Sequence, residues 1–596
     1  MVVTQFYDLA KWLPGAIAYF FELGAALALA AIVISFLIAA FRYGPLAGGD
    51  MVFRVATTAV VDLARTSPRR VWALARLAIQ ESLRRNVLVA LGVFVVVLLF
   101  AGWFLDDTSP DPSTLYLTFV LTATTYLAWA LGVFLSAFSL PSDFKTRTIY
   151  TVVTKPVRPG EIVLGRILGF TLIGSVMLAI MGVVSYVFAY RLLDHTHEVE
   201  AASLQPAGET ADGGLIGRTT SSHGHRHEVR LDAEGVGKTD TKNSHWHSVA
   251  ARQEANKTVY TLSSPDGMFV ARVPVYGDLR FKDRSGRGVA HGISVGKEWK
   301  YRSFVEGGSP AAAIWTFHDI TREKFPQGLP IEMTIRVFRS HKGDINKGIA
   351  GTLIVRNPKT GRSSQEVPFI AKDQIIDYKK IPADLLDSSG QKLNLFDDLV
   401  DDGKVEVQIN CLARGQYFGM AAPDLYLRAA DASFPVNFAK AFFGIWLTML
   451  LVISFAVMFS TFLSGPVAML ATVAILVIGC FTEDIHNLAS GITQGGGPFE
   501  SLVRIVKQQN MTIEMEEGLT KTVVQSADAG MLFLMKGVAG LLPDFSKFDE
   551  AFVTHLAKGF DISSDTVGVW GLRGVAYLCV AFVVGYFFLK TREVAK

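Results

Sequence analysis

Cysteine is scarce in this 596-residue chain, and so is charge. Of the three cysteines, Cys480 and Cys579 fall in apolar runs, and Cys411 stands alone in a polar block. No disulfide can therefore staple that block internally, and an apolar core must hold it together. Only 19% of the residues are charged and the net charge is +3, so nothing here marks a nucleic-acid partner. Signatures of catalysis are missing as well. No stretch satisfies G-x-x-x-x-G-K-[ST], whose backbone amides would cradle phosphates. Residues 232–239 (DAEGVGKT) come near, but the run opens on Asp232 where the motif needs glycine, and it is read as a turn. H-E-x-x-H is absent, and the spacing of Ser, His and Asp singles out no triad and no carboxylate pair. The chain is accordingly read as no enzyme, with no catalytic residue assigned.

What the chain has is apolar length. Seven runs are long enough to be read as spans: 23–41, 87–105, 115–140, 162–193, 438–462, 467–481 with its flanks, and 572–589. A hydrocarbon core needs about 20 apolar residues in a helix, and only a helix satisfies its own backbone in lipid. The expected fold is a polytopic α-helical membrane protein of seven spans with an inserted β-sandwich or jelly-roll-like domain. Lys and Arg crowd the loops after the first and third runs and the tail after the seventh. Short basic loops stay cytoplasmic. This places the C-terminus inside and the polar block outside, in a multi-pass protein in contact with membrane lipid. The first run is too long, and its basic flank comes on the wrong side, for a cleavable signal peptide.

The expected segments follow from these breaks. Residues 1–45 hold the first span. Residues 46–86 are a cytoplasmic linker ending in a basic amphipathic helix, 68–86, suited to the membrane interface. Residues 87–193 hold three spans and a basic loop at 141–161. Residues 194–257, poor in large apolar side chains, read as an extended His-rich segment. Residues 258–436 alternate like strands between turn signals such as SPDG, NPKTG and DDG. Residues 437–482 carry two spans, 483–570 a helical cap, and 571–596 the last span and tail.

Histidine supplies the sharpest local pattern. Seven of the twelve lie within 195–247, as His195/His197, His225/His227 and His245/His247, with His223 beside the second pair. In an extended strand, residues i and i+2 project to the same side. Both imidazoles of an H-x-H pair can then reach one ion such as Zn²⁺, Ni²⁺ or Cu²⁺, and two pairs would complete a shell. The competing reading is a solvated polar tract. Unequal spacing between the pairs argues against a regular solenoid. In the third apolar run, Thr122, Thr124, Thr125 and Tyr126 are either a lining for a substrate path or helix glue.

The loop PSDFKTRTIYTVVTKPVRPGEIVLGRILG (141–169) resembles the cytoplasmic loop of ABC-2-type transporter permeases. The matching residues are Asp143, Thr148, Lys155, Pro156, Val157, Arg166 and Gly169. Asp143 stands where Glu is commoner, and Thr148 where Gly is commoner. The segment before the second run looks like the family's entrance helix. Spans two to seven give its six-helix core, similar to the permease subfamily of nitrous-oxide-reductase maturation. The resemblance implies a homodimeric permease in the cytoplasmic (inner) membrane of a bacterium, driven by a separate ATPase subunit that carries the ATP-Mg. It implies an ATPase-coupling loop containing Asp143, Lys145, Arg147, Thr148, Lys155, Pro156 and Arg158. The first span and the outer domain are additions to the family pattern. Two other classes stay open: a membrane-anchored extracytoplasmic binding or structural protein that holds a ligand or partner outside, metal being one candidate, and a membrane-anchored metal enzyme using the H-x-H pairs.

Overall fold

Two units emerge from the chain in the computed structural model. It describes residues 8–84, 88–105, 112–147, 157–206, 214–242, 245–254, 257–294, 302–340, 347–373, 376–490, 496–510, 515 and 517–591. One unit draws on 6–269, 438–558 and 562–596, and the other on 270–437 and 559–561.

The first unit carries the apolar helices. In chain order these are α1 (Leu9–Tyr43), α2 (Pro45–Ala64), α3 (Pro68–Arg84), α4 (Leu88–Phe104), α5 (Pro112–Ser136), α6 (Ser139–Lys145) and α7 (Pro159–Leu193). After the inserted β unit come α8 (Phe434–Ser460), α9 (Gly465–Cys480), α10 (Thr482–Ala489), α11 (Pro498–Val506), α12 (Leu519–Leu541), α13 (Phe545–Asp549) and α14 (Ser564–Thr591). Among the described residues, five helices are long and apolar enough to cross a membrane: α1, α5 with α6, α7, α8 and α14. A sixth span follows if α9 and α10, bent by 58° at their junction, count as one. The seven expected spans are therefore more than helix length and composition support. Among the described residues the run at 87–105 yields the 17 residues of α4, and the run at 467–481 ends at the bend.

Small residues seat α3 against the start of α7. Ala75, Ala78 and Ser82 are buried on α3, while Trp72, Leu77 and Leu83 stay exposed. The packed face is thus lined by small residues and not by the bulky apolar ones that make the helix amphipathic. A Cβ on Gly169 would lie 2.5 Å from the Ala75 carbonyl oxygen and 2.7 Å from Ala78 Cβ, so the approach requires glycine. Charge fixes the same corner. Glu161, on the first turn of α7, has no exposed side-chain surface. It accepts hydrogen bonds from the backbone N–H groups of Ser67 and Arg158 and from the Arg70 guanidinium. Arg166, one turn further on, pairs with both Glu81 and Asp143. Deeper in the bundle, tryptophan N–H groups cross between helices: Trp129 to the Thr448 hydroxyl at 3.0 Å, and Trp446 to that of Ser175 at 2.8 Å.

The second unit is β-rich and antiparallel. Its strands are β7 (Arg272–Tyr276), β8 (Asp278–Lys282), β9 (Gly288–Val289), β10 (Ser303–Glu306), β11 (Ala312–Phe317), β12 (Leu329–Thr334), β13 (Arg336–Arg339), β14 (Ile349–Arg356), β15 (Val367–Ala371), β16 (Ile376–Ile381), β17 (Asp384–Leu386), β18 (Lys392–Asn394), β19 (Val405–Cys411), β20 (Gln416–Met420) and β21 (Leu425–Asp431). They form sheets in the orders β15-β14-β19-β11-β8-β9, β16-β12-β21-β7 and β10-β20-β13, with β17 and β18 as a separate pair. One core joins the two larger sheets. Trp315, Leu353 and Val407 come from one, and Ile331, Met333 and Leu427 from the other. Cys411 is buried in that core and free, as its isolation in sequence predicts. Glu332 is buried on β12 and ion-paired with Arg272 and Arg428.

Candidate metal centre

The segment that reads as extended and loop-rich folds into a sheet of its own, within the helical unit. Its strands β1 (Gln205–Pro206), β2 (Leu215–Arg218), β3 (Glu228–Leu231), β4 (Gly237–Thr239), β5 (Ser248–Glu254) and β6 (Lys257–Leu262) form an antiparallel meander in chain order. TVYTL (258–262), expected to open the large β domain, pairs instead with β5 in this sheet. Val229, Leu231 and Val249 form a small apolar core, with Leu204, Leu215 and Tyr260 packed against it. Such short strands carry few large apolar side chains, which hides them from periodicity.

Each H-x-H pair occupies the same place in this meander. His225 and His227 lead into β3, His245 and His247 into β5, and His195 and His197 into the stretch where Val199 bridges Thr219. The bridges Ser222–His225 and Lys242–His245 stand at the start of the second and third pairs, and the first closes a tight turn. In that turn His223 takes a left-handed φ of 47°. His223 is exposed, and its ring lies beside that of His195 with centroids 4.8 Å apart, outside the set. The other six are buried, from 7% exposure at His195 and His225 down to 0% at His245 and His247.

Six rings make fifteen pairs. Twelve have centroids 4.8–5.3 Å apart at 69–88°. The remaining three pairs, His195/His227, His197/His245 and His225/His247, are not in ring contact. Each ring therefore touches four others and misses one, which is the neighbour relation of the vertices of an octahedron. The first histidines of the three pairs form one triangular face, and the second histidines form the opposite one.

Hydrogen bonds fix which nitrogen faces inward. Nδ1 of His195 lies 2.9 Å from the Leu193 carbonyl, that of His225 3.1 Å from the His223 carbonyl, and that of His197 2.9 Å from the Thr220 carbonyl. His227 and His247 reach the carbonyls of Asp240 and Ser263 at 2.9 and 2.8 Å. A carbonyl only accepts, so each Nδ1 carries the proton and each Nε2 keeps its lone pair. The Nε2 atoms converge. That of His245 lies 3.1 Å from those of His195 and His225 and 3.2 Å from that of His227. Nε2 of His197 and of His247 are buried and find no hydrogen-bond partner among the described residues. Burial, with neighbouring imidazoles adding to it, holds His195 and His225 down at about 4, and burial also lowers His197, His227 and His247. These five rings are thus neutral at neutral pH. These six histidines could bind a metal: their ligand atoms fall in two overlapping sets of four, each within 4.8 Å.

The residues that orient the rings had a sequence signal that the H-x-H pattern alone does not reveal. Residues 216–229 and 236–249 match at a 20-residue offset, pairing Gly217/Gly237, Thr219/Thr239, His225/His245, His227/His247 and Val229/Val249. Thr219 Oγ1 accepts the N–H of His227 at 2.9 Å, and Thr239 Oγ1 that of His247 at 2.8 Å. A Cβ on Gly237 would sit 1.9 Å from the Arg230 carbonyl oxygen. Asp240 Oδ1 lies 3.3 Å from Nδ1 of His227, a carboxylate behind the ring of the kind that orients metal ligands.

The other expected site residues lie elsewhere. Asp143 is bound to Arg166, Lys145 and Arg147 are exposed at the end of α6, and Arg158 precedes α7 within 3.7 Å of Asp62. Thr148, Lys155 and Pro156 lie outside the described residues. Thr124 and Thr125 are buried and bond the carbonyls of Val120 and Leu121 in their own helix, Thr122 is half-buried, and Tyr126 is exposed. Residues 232–239 form a turn leading into β4, closed by the Gly235 N–H on the Asp232 carbonyl. Comparison with protein-family models and with curated proteins finds no match for this chain.

Proposed function

We propose that this chain is the membrane subunit of an ATP-driven transporter of the ABC-2 type. In this reading it is a homodimer in a bacterial inner membrane, with the 141–161 loop inside and the β unit outside, and it works with a separate ATPase subunit that binds ATP-Mg. The observation that carries the reading is the anchoring of the loop's flanks. Asp143 near the start of the loop and Glu161 at its end are both held by charge pairs, to Arg166 on α7 and to Arg70 on α3. Ends so anchored would pass a rigid push to the helices on either side. The test is Arg147→Glu in the full chain, assayed with an ATPase subunit that co-purifies with the wild type. The expected outcome is a folded, inserted protein that no longer stimulates ATP hydrolysis, since an exposed charge reversal costs little stability. Stimulation equal to that of the wild type would reject the loop as the contact.

A second reading rests on the six convergent imidazoles: the sheet of 194–262 binds one divalent metal ion per chain outside the membrane. It is compatible with the first and also with a membrane-anchored binding protein. With Nδ1 protonated on five of the rings, at most one of the six inward nitrogens carries a hydrogen, and the remaining lone pairs, drawn towards one point, repel one another unless a cation sits between them. Metal analysis of the purified full chain before and after chelation tests it, with one tightly held ion per chain expected.

A further inference from the structure

We infer that the centre is a coordinatively saturated, six-nitrogen site that selects an octahedral divalent ion, Fe²⁺, Co²⁺ or Ni²⁺, over Zn²⁺ and Cu²⁺. This rests on the metal-binding reading and specifies its chemistry. An octahedron with edges of 3.1–3.2 Å has its centre about 2.2 Å from each vertex, close to the usual metal–imidazole distance of about 2.0–2.1 Å. No rearrangement is needed to admit an ion. Four-coordinate zinc would leave two buried imidazoles unused, with lone pairs facing a cation they do not touch. Cu²⁺ favours tetragonal surroundings, and Mg²⁺, Ca²⁺ and Mn²⁺ favour oxygen donors, of which the cage offers none. Imidazole suits iron and nickel, and Ni²⁺ binds tightest among Fe²⁺, Co²⁺ and Ni²⁺ in a shared nitrogen site.

Saturation has a chemical consequence. A catalytic metal keeps an open position for water or substrate, whereas a structural one is closed. Here every octahedral position has a protein ligand, so the ion is a fastening and neither a Lewis-acid catalyst nor a passing cargo. It fastens the sheet beside the end of α7: His195 is two residues beyond Leu193 and bonds its carbonyl. The outgoing chain returns to the same place, where Met268 shares a small core with Tyr116 and Leu193 and Phe269 stacks on Tyr190 at 5.7 Å.

The experiment uses the full chain in detergent, stripped with chelator and titrated with Co²⁺, then with Ni²⁺ against Zn²⁺. Expected are one ion per chain, the weak visible absorption of six-coordinate Co²⁺, and displacement of Zn²⁺ by Ni²⁺. Single His→Ala changes at any of the six positions should weaken Ni²⁺ more than about 100-fold, beyond what loss of an outer partner costs, while His223→Ala should leave affinity unchanged. The cobalt spectrum needs no variant, so a misfolded mutant does not block the test. Intense blue four-coordinate absorption, or two of the six histidines proving dispensable, would overturn the octahedral assignment and leave a metal site standing. A folded chain that retains no ion would overturn the site itself.

Discussion

At the residue scale, burial decides chemistry more than residue type does. Cys411 is a thiol without a disulfide, but the core of the β unit pushes it up to about 11. The thiolate is the reactive form, so the folded chain should protect this cysteine. Alkylation of denatured and native protein at pH 8 should differ greatly in rate, the native rate following the unfolded population. Rapid stoichiometric labelling of native protein at Cys411 would contradict the burial. The sign of the pH effect follows from the same shift. Below the unfolded thiol's pKa, near 9, both states are protonated and the contribution to stability is fully present. As pH rises from there towards about 11, only the unfolded chain loses the proton, and stability falls. Isolation of Cys411 was plain from sequence, because counting cysteines is enough. Its burial was not, since that depends on which face of β19 meets the core.

At the element scale, the contrast between the two β regions shows what sequence can and cannot carry. β11, β14 and β19 are rich in Val, Ile, Leu and aromatics, and the alternation expected over 258–436 falls largely on strands of the β unit. The metal-centre sheet has strands of two to seven residues and few large apolar positions, so neither alternation nor length announces it. Its signal is the 20-residue offset between two units. A third H-x-H pair stands 30 residues ahead of the second, which masks the repeat. The offset predicts equivalent roles for Thr219 and Thr239. Thr219→Val and Thr239→Val should each strand a buried histidine N–H and cost about 1–3 kcal/mol. Both should loosen the sheet alike, seen as faster proteolysis within 214–254 and faster metal loss to a chelator. A large effect at one site and none at the other would mean the two units are not equivalent. The α3–α7 contact was legible only in part. The amphipathic pattern located α3, but the face it buries was set by Gly169 and Gly165 on its partner, which no helical wheel of α3 can report.

At the scale of the whole molecule, the open question is which side of the membrane each part faces, and charge gives the answer to test. Five or six helices qualify by length and composition, and an even or odd number of crossings between the 141–147 stretch and the β unit changes the sidedness of everything after it. Among the described residues between Lys145 and residue 270 the only long apolar helix is α7, so a single crossing would separate the basic loop from both the metal centre and the start of the β unit. If the basic loop is inside, six imidazoles and the β unit are outside, where chelators and metal ions reach them without entering the cell. Single cysteines at Thr146 and at Lys359, both exposed positions, probe the two sides in a background lacking the three native cysteines. An impermeant maleimide on intact cells should label Lys359→Cys and spare Thr146→Cys, and opening the cells should expose both. The reverse pattern would turn the chain over and remove the loop from any cytoplasmic ATPase. Labelling of both in intact cells would instead mean that α7 does not cross, because α7 is the long helix that leads from the loop into the sheet.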